Sequence, residues 1–192
     1  MIRGDSKEYD LLKKWAEQAL IFDTSKAYIS CEIGVREGLG SKIIMDAFRE
    51  RTKDVMPYKH IGIDPYANLK YQHYDNSPEY TCDYTDDMRK QMEKDFNSYP
   101  EFLFLPVKDT DFMNGGGFGY PYFDFVHFDG PHMSKDVMTE CIWFANRSRK
   151  GTRYVFDDYP KYKMDIIADA LTLYGFKTIE KGENKICLER QK

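Results

Sequence analysis

Two apolar segments of this sequence end in carboxylates, and the three acids concerned could act together. Asp129 follows the segment 123–128, while Asp157 and Asp158 close a second segment, with Asp157 28 residues after Asp129. The interval suits one helix and two short loops, so the segments are predicted to be neighbouring parallel strands whose carboxyl ends lie side by side. Three carboxylates at that edge could hold a hard divalent cation through oxygen ligands.

A simpler interpretation of Asp157 and Asp158 is that they cap the helix that follows them. Two adjacent acids exceed what a cap needs, and Asp129 adds a third negative charge nearby. Like charges this close together are costly unless a cation neutralises them. The sequence therefore favours a metal site formed by Asp129, Asp157 and Asp158, at the edge where ligands bind in open α/β sheets.

A histidine stands three residues after the first acid, in the segment Asp129-Gly-Pro-His132. Imidazole titrates near neutral pH, which suits removal of a hydroxyl proton, so His132 is a candidate general base. The simpler alternative is a solvated loop histidine. His127 falls inside a predicted strand and is interpreted as a core residue, and no role is predicted for His60 or His73.

A second candidate site begins where an upstream strand runs into a glycine-rich turn. Glycines let the backbone turn tightly and approach a ligand, and a helix that starts there offers free amides. The next predicted strand ends in an acid, which at that position can bind both hydroxyls of a ribose. Together the two features predict a nucleoside-bearing cofactor. The candidate cofactor-binding residues of these segments are Glu32, Gly34, Gly38, Gly40 and Asp64.

Several cofactor candidates have an open alternative. Glu32 could order the glycine turn or meet the amino-acid end of the cofactor, or it could simply cap the turn. Tyr66 could flank the adenine, and it could equally be an ordinary loop aromatic. Asp109 lies just past the third predicted strand and could meet the adenine amino group, but it resembles the solvated charges beside it.

The overall composition narrows the class of protein. With 192 residues the chain is long enough for one domain with a substantial core. A net charge of −4 gives no basic surface for nucleic acid. The four dispersed cysteines lack zinc-ligand spacing, and Cys31 and Cys187, which fall in predicted strands, are interpreted as buried free thiols. No apolar signal core and no membrane-spanning run is present, so a cytoplasmic protein is predicted. Tyrosines in predicted loops could wall an acceptor pocket.

Strands and helices alternate along the chain. A helix in the segment 1–26 precedes five βα units and a closing β-hairpin within 27–192, interpreted together as one domain. Such alternation predicts a parallel sheet with helices on both faces, to which the hairpin adds an antiparallel strand. The predicted strands are 27–33, 60–64, 102–107, 123–128, 153–157, 176–180 and 186–189. The predicted helices are 5–20, 39–51, 84–97, one with Ser134 as its N-cap, and one that ends before Gly175. The first of them is predicted to be amphipathic, and its apolar face consists of Leu12, Trp15, Ala16 and Ala19.

With this order of elements the chain resembles the class I S-adenosylmethionine-dependent methyltransferases. Within that class it is similar to the metal-dependent catechol and macrocin (sugar) O-methyltransferase groups, over almost the whole chain from Ala27 onward. The resemblance rests on the segments Glu32-Ile-Gly34-x-x-x-Gly38-x-Gly40, Ile63-Asp64, Asp129-Gly-Pro-His132 and Asp157-Asp158. The chain departs from the pattern at Lys150-Gly151-Thr152, where Gly-Gly is usual, and in its short N-terminal extension.

The resemblance implies a seven-stranded, Rossmann-like α/β fold and methyl transfer to a small-molecule hydroxyl that depends on Mg²⁺ or Mn²⁺. Asp129, Asp157 and Asp158 would bind the metal, and Asp129 would also count among the catalytic and cofactor-binding residues. His132 would be the general base. A catechol, a sugar diol or a hydroxylated natural product would be the acceptor. Neither nucleic acid nor a membrane is expected as a partner. Whether the protein forms a homodimer is left open.

Two other functions remain open. A relative could bind S-adenosylmethionine and a metal but carry out different chemistry, such as hydroxylation. A non-catalytic nucleoside-binding module would need the glycine turn and Asp64, but it would have no use for the three acids. A nicotinamide dehydrogenase is disfavoured because the turn lacks the Gly-x-Gly-x-x-Gly form. Nucleic-acid N-methylation is disfavoured because Asp129-Gly-Pro-His132 replaces the expected Asn/Asp-Pro-Pro-aromatic motif.

Overall fold

The computed structural model describes residues 2–21, 25–53, 56–67 and 69–192, so residues 1 and 22–24 of the predicted N-terminal segment lie outside the described residues. The strands are β1 (Tyr28–Ile33), β2 (Tyr58–Ile63), β3 (Lys70–Gln72), β4 (Glu79–Thr81), β5 (Phe102–Leu105), β6 (Phe123–Phe128), β7 (Ser148–Phe156), β8 (Phe176–Lys181) and β9 (Ile186–Arg190). The helices are α1 (Tyr9–Glu17), α2 (Leu39–Thr52), α3 (Asp86–Asp95), α4 (Asp109–Asn114), α5 (Ser134–Ala145) and α6 (Met164–Thr172). In the part of the chain that the structure describes, no helix is long and apolar enough to cross a membrane.

Seven strands form the central sheet in the order β5-β2-β1-β6-β7-β9-β8. The first five run parallel, and β9 is antiparallel to both β7 and β8. This order confirms the predicted Rossmann-like α/β fold with its antiparallel closing hairpin. Glu32 pairs in register with Gly62 on β2 and with His127 on β6, so the carboxyl ends of the central strands meet at one edge.

The central strands are covered on both faces. Every residue of β1 and β6 is buried, as the near-continuous apolar runs of a parallel sheet require. One apolar cluster joins Phe128 to Phe144 of α5, and the other contains Phe48 of α2. Val155 and Phe156 fall in different clusters because alternate side chains of a strand point to opposite faces.

The N-terminal helix lies within the predicted range 5–20 but spans only Tyr9–Glu17, and the cysteines follow the sequence predictions. Leu12, Trp15 and Ala16 are the buried residues of α1, which confirms the predicted apolar face. All four cysteines are free and buried. This result confirms the prediction that Cys31 and Cys187, in their respective strands, are buried thiols.

The aromatic segment after β2 is a small hairpin rather than a loop. Its strands, β3 and β4, pair antiparallel with Tyr71 opposite Tyr80. The two rings have centroids 4.9 Å apart, and their hydroxyls are 2.6 Å apart. Cross-strand aromatic pairs stabilise short strands. The sequence pattern did not indicate this hairpin because strands of three residues are too short for alternation to be recognised.

The start of α5 also differs from its prediction. Ser134 is the first residue of the helix and not its N-cap, because Met133 precedes it in an extended conformation. The carboxylate of Asp75, in the β3–β4 hairpin, instead accepts from the backbone N–H of Ser134 at 2.8 Å and from its hydroxyl at 2.5 Å. An acid distant in sequence therefore caps α5 and fixes the hairpin against it.

Candidate functional site

The glycine turn after β1 passes directly against the end of β6. The N–H of Gly34 donates to the carbonyl of Ile63 at 2.9 Å, and Gly34 has φ +85°. A Cβ on Gly34 would lie 2.1 Å from the carbonyl oxygen of Asp129. Gly38 has φ +87° and precedes α2, where a Cβ would lie 2.4 Å from the ring of Phe96. Both positions therefore require glycine, and the turn can approach a ligand closely.

Glu32 is a buried carboxylate that organises this turn. Its Oε2 accepts from the hydroxyl of Ser41 in α2, and its Oε1 lies 2.7 Å from Nδ1 of His127 on β6. A Cβ on Gly40 would lie 2.0 Å from Oε1, so Gly40 makes room for the carboxylate. Glu32 thus ties β1, β6 and α2 together, which supports the predicted ordering role.

Asp64 follows β2 with both carboxylate oxygens turned to backbone amides. Oδ2 accepts from the N–H of Arg36 at 2.9 Å and Oδ1 from the N–H of Tyr66 at 3.0 Å. Burial raises the pKa of Asp64, and these amide hydrogen bonds oppose the rise. Tyr66 is itself buried, packs against Tyr84 and Phe104, and donates its hydroxyl to the carbonyl of Arg36.

A cavity of about 310 Å³ opens at this edge of the sheet. Gly38 and Gly40 are not in its lining, which agrees with the structural reasons for glycine at both positions. The wall combines acids with apolar and aromatic side chains, the usual character of a small-molecule site. The predicted cofactor residues that line the cavity are Gly34, Asp64, Tyr66, Asp109 and Asp129.

Asp109 has a buried partner. It is the first residue of α4, and the buried carboxyl group of Glu140 on α5 lies close to it. Burial, and then the charge of Asp109, raises the pKa of Glu140 and favours its neutral form. Asp109 therefore lines the cavity next to a buried acid, unlike an ordinary solvated charge.

At the other end of the site, Asp129 and Asp157 are hydrogen-bonded to each other. Burial, and then the charge of Asp157, raises the pKa of Asp129. Burial also opposes ionisation of Asp157, but the hydrogen bond from Asp129 and the charge of Lys185 outweigh it and lower the pKa of Asp157. Their proximity therefore favours the neutral form of Asp129 and the charged form of Asp157, as is usual for close carboxylates.

Asp157 and Asp158 each bind a lysine. The fully buried ammonium of Lys185, just before β9, lies 2.5 Å from Oδ1 of Asp157. Oδ2 of Asp158 accepts from the hydroxyl of Tyr74 and, at 2.9 Å, from the exposed ammonium of Lys161. One of the two ion pairs is therefore inside the protein and the other is at its surface.

The predicted metal ligands come together only in part. Among the described residues, two groups of three side chains have potential ligand atoms that all lie within 4.8 Å of one another. Asp129, Asp157 and Asp158 together do not form such a group, because Asp158 belongs to a group with two histidines. Metal binding by these three acids stays a prediction. The two groups are His73, His132 and Asp158, and Glu32, His127 and Asp129.

His132 lies beside the acids and is held between two rings. The ring of Tyr162 stacks on it at 5.5 Å and 5°, and the ring of Tyr74 at 5.8 Å and 14°. Its Nδ1 lies 3.9 Å from Oδ2 of Asp158. Burial, and then the neighbouring His73, lowers the pKa of His132 to about 4. The side chain is therefore neutral at physiological pH, the form that a general base requires.

A second cavity, of about 170 Å³, adjoins the first and reaches the acids and His132. Part of its wall is the N-terminal strap, defined as residues 3–8. The hydroxyl of Ser6 donates to Asp157 at 2.7 Å, and Ser6 also accepts from Lys185 at 2.7 Å. The carboxylate of Glu8 accepts from the backbone N–H of Lys185 at 2.8 Å. The residues common to the two cavities are Gly34, His73, Tyr84 and Asp129.

Three contributors to this site were not predicted from the sequence, namely His73, Lys185 and the N-terminal strap. His73 follows a three-residue strand, and Lys185 is one lysine among many in a charged segment. The one signal that could have identified Lys185 is its position directly before an apolar strand. Using this signal requires knowing that the strand pairs with β7, and in which register. Residues 5–8 of the strap were predicted to be the first turn of the helix 5–20, but the helix begins at Tyr9.

Residues 31–159 match the profile of a family described as a methyltransferase domain. None of the curated protein sequences matches the chain. Similar solved structures include CalS11, the calicheamicin methyltransferase, with a TM-score of 0.65, 10% identity and coverage of 94% of this chain and 76% of that chain. The O-methyltransferase from Bacillus cereus in complex with SAH has a TM-score of 0.65, 10% identity and coverage of 100% and 83%. The MycE methyltransferase in complex with Mg and SAH has a TM-score of 0.56, 16% identity and coverage of 96% and 48%.

The chain belongs to this methyltransferase domain family, because the matched residues span both the glycine turn and the three acids. Its sheet order with the closing hairpin is that of the class I S-adenosylmethionine-dependent methyltransferases. Other structures of this fold are a ribosomal protein L11 methylase and an rRNA methyltransferase. The fold alone therefore leaves the methyl acceptor open.

Replacing Asp64 with alanine is expected to weaken binding of S-adenosylmethionine about 5- to 150-fold, or about 1–3 kcal/mol, the scale for a lost hydrogen bond to a charged group. Calorimetric titration of the wild type and the variant measures the difference. Asp83→Ala is the control, because Asp83 is an exposed acid outside the cavity lining. An unchanged affinity in a folded Asp64→Ala protein would remove Asp64 from the cofactor site.

Proposed function

We propose that this protein transfers the methyl group of S-adenosylmethionine to a hydroxyl oxygen of a small molecule, with a divalent metal ion at its acidic edge. The observation that carries the proposal is His132. It is buried and neutral beside the three acids, and its Nε2 has no hydrogen-bond partner among the described residues. Methyl transfer to a hydroxyl needs a group that takes the proton, whereas a nucleoside-binding module does not.

The two adjoining cavities suit the two substrates. The larger would hold the cofactor, with Asp64 toward the ribose, Asp109 toward the adenine amino group, and the turn at Gly34 toward the methionine end. The smaller would hold the acceptor next to His132. Asp129 lines both cavities, so the methyl group would cross between them at this residue.

The reaction would be an in-line displacement. The acceptor oxygen forms a bond to the methyl carbon while the carbon–sulfur bond breaks, and the sulfur keeps the electron pair and becomes a neutral thioether. The hydroxyl proton passes to Nε2 of His132. Most of the rate enhancement would come from holding the acceptor oxygen and the methyl carbon in contact in a site that excludes water.

The donor set at the acidic edge suits Mg²⁺ or Mn²⁺, because both ions prefer carboxylate oxygens. Asp129, Asp157 and Asp158 would hold the ion, which when bound would lower the pKa of the acceptor hydroxyl. The ion would compete with the ammonium groups of Lys185 and Lys161, and its charge would favour the ionised form of Asp129. The MycE methyltransferase, which has the same fold, was solved with Mg and SAH, and this supports the proposal.

The proposal is tested by methyl transfer from labelled S-adenosylmethionine to a panel of catechols, sugar diols and hydroxylated natural products. Activity is expected to vanish in excess chelator and to return with Mg²⁺. Asp157→Asn should lose most activity and keep its cofactor affinity, because Asp157 is not part of the larger cavity. Asp165→Asn, at an exposed position in α6, is the control.

Three outcomes separate the alternatives. Full activity in excess chelator would contradict the metal requirement. Cofactor binding without transfer to any acceptor would favour the nucleoside-binding module, and turnover of the acceptor without methylation would favour different chemistry. A net charge of −4 and an acceptor cavity of about 170 Å³ support a small acceptor over a ribosomal one. A homodimer and a cytoplasmic location stay predictions.

A further inference from the structure

His73 and His132 form a pair of imidazoles at the junction of the two cavities. Nδ1 of His132 lies 3.2 Å from Nε2 of His73, within hydrogen-bond distance. The backbone N–H of His132 donates to the carbonyl of His73 at 2.8 Å, so the two residues are fixed to each other through main chain and side chain. The ring centroids are 4.8 Å apart and the planes meet at 78°.

The two outer nitrogens of this pair have no hydrogen-bond partner in the part of the chain that the structure describes. Nε2 of His132 and Nδ1 of His73 are both buried without a hydrogen bond among the described residues. A neutral imidazole carries one N–H and one lone pair, so the shared hydrogen bond decides which outer nitrogen bears a proton. If His132 donates, its Nε2 has the lone pair; if His73 donates, Nε2 of His132 is protonated and cannot act as a base.

The surroundings of the pair favour the arrangement in which His132 donates the shared hydrogen bond. The carboxylate of Asp158 lies 3.9 Å from Nδ1 of His132, and Asp158 also accepts from Tyr74 and Lys161. A negative charge next to Nδ1 favours an N–H there over a lone pair. The alternative, a metal ion shared by the three side chains, is less favoured, because the two imidazole nitrogens already bond to each other.

We propose that His73 is a positioning residue that holds His132 in the Nδ1–H tautomer and so leaves the Nε2 lone pair for the acceptor hydroxyl. This inference rests on the proposed function for its catalytic meaning, but the tautomer itself does not depend on activity. A buried lone pair without a donor costs free energy in the resting protein, and the acceptor hydroxyl would supply the missing donor.

Heteronuclear NMR of the ¹⁵N-histidine protein tests the tautomer directly. The chain has four histidines, so the His132 signals can be assigned by their loss in His132→Phe. We expect the Nδ1–H form in the wild type, a shift toward the Nε2–H form in His73→Leu, and return of the Nδ1–H form in His73→Gln. Gln serves as the matched variant because its side-chain oxygen can accept at the position of Nε2.

Kinetics provide the second readout. His73→Leu is expected to lower kcat by tenfold or more with little change in KM for either substrate, and His73→Gln should recover most of the rate. An Nε2–H form in the wild type, a tautomer unaffected by His73→Leu, or a metal ion bound by both histidines in the purified protein would each overturn the proposal. If His73→Leu does not fold, the spectra of the wild type and of His73→Gln still show which tautomer His132 adopts. A protein with the expected tautomer but no methyl transfer would contradict the proposed function and leave the pairing intact.

Discussion

His132→Ala is expected to slow methyl transfer by about 10²- to 10⁴-fold, the range for loss of a general base. Cofactor affinity should persist, because His132 is not part of the larger cavity. Single-turnover transfer with saturating S-adenosylmethionine measures the chemical step, and calorimetry measures the affinity for the demethylated product. A loss of rate without a loss of affinity would place His132 in the reaction and outside the cofactor site.

A second variant separates the base from its packing. His132→Phe keeps an aromatic ring between Tyr74 and Tyr162 but has no nitrogen. It should be as slow as His132→Ala and more stable to heat, since the buried ring contacts are retained. A wild-type rate in either variant would leave His132 as a structural residue, and transfer would then have to rely on another base.

Lys185→Met is expected to lower the free energy of unfolding by about 3–5 kcal/mol, the cost of breaking a buried ion pair on one side. The substitution leaves the Asp157 carboxylate, which accepts from Lys185 at 2.5 Å, without its cation in the protein interior. Chemical denaturation at neutral pH, followed by circular dichroism, measures the loss. Methionine is close to lysine in length, so the change in volume contributes little.

Two comparisons give the Lys185 result its meaning. Lys161→Met should cost less than about 1 kcal/mol, because Lys161 is half exposed and its pair with Asp158 is screened by water. The double variant Lys185→Met with Asp157→Asn should recover part of the loss, because it removes both charges of the pair. Equal effects of the two lysine substitutions would contradict a special role for the buried ammonium.

The parts of the site that could be predicted from the sequence are those that depend on where a strand ends. Asp64, Asp129 and Asp157 each follow a buried apolar run, and parallel strands bring their carboxyl ends to the same edge. The glycine turn was also accessible, because positive φ angles and close backbone contacts leave glycine as the suitable residue at Gly34 and Gly38.

The remaining parts depend on contacts that no local pattern encodes. His73 contacts His132, which lies 59 positions away in the sequence, and Ser6 contacts Asp157, which lies 151 positions away. Lys185 reaches Asp157 because β9 inserts between β7 and β8. The sequence places each of these residues near a strand or a turn. Which side chain the residue contacts depends on the strand register and on the path of the hairpin.

The N-terminal strap has a consequence for the order in which the molecule assembles. Glu8 accepts from the backbone of Lys185, 177 positions away, and Ser6 bonds to both Lys185 and Asp157. Contacts that close such long loops cost more conformational entropy than local ones. During synthesis the strap leaves the ribosome before β9, so its contacts with Lys185 cannot form until β9 has been made. The glycine turn packs against the ends of β2 and β6, which both precede β9 in the chain. The acidic edge therefore depends on a later segment of the chain than the glycine turn does.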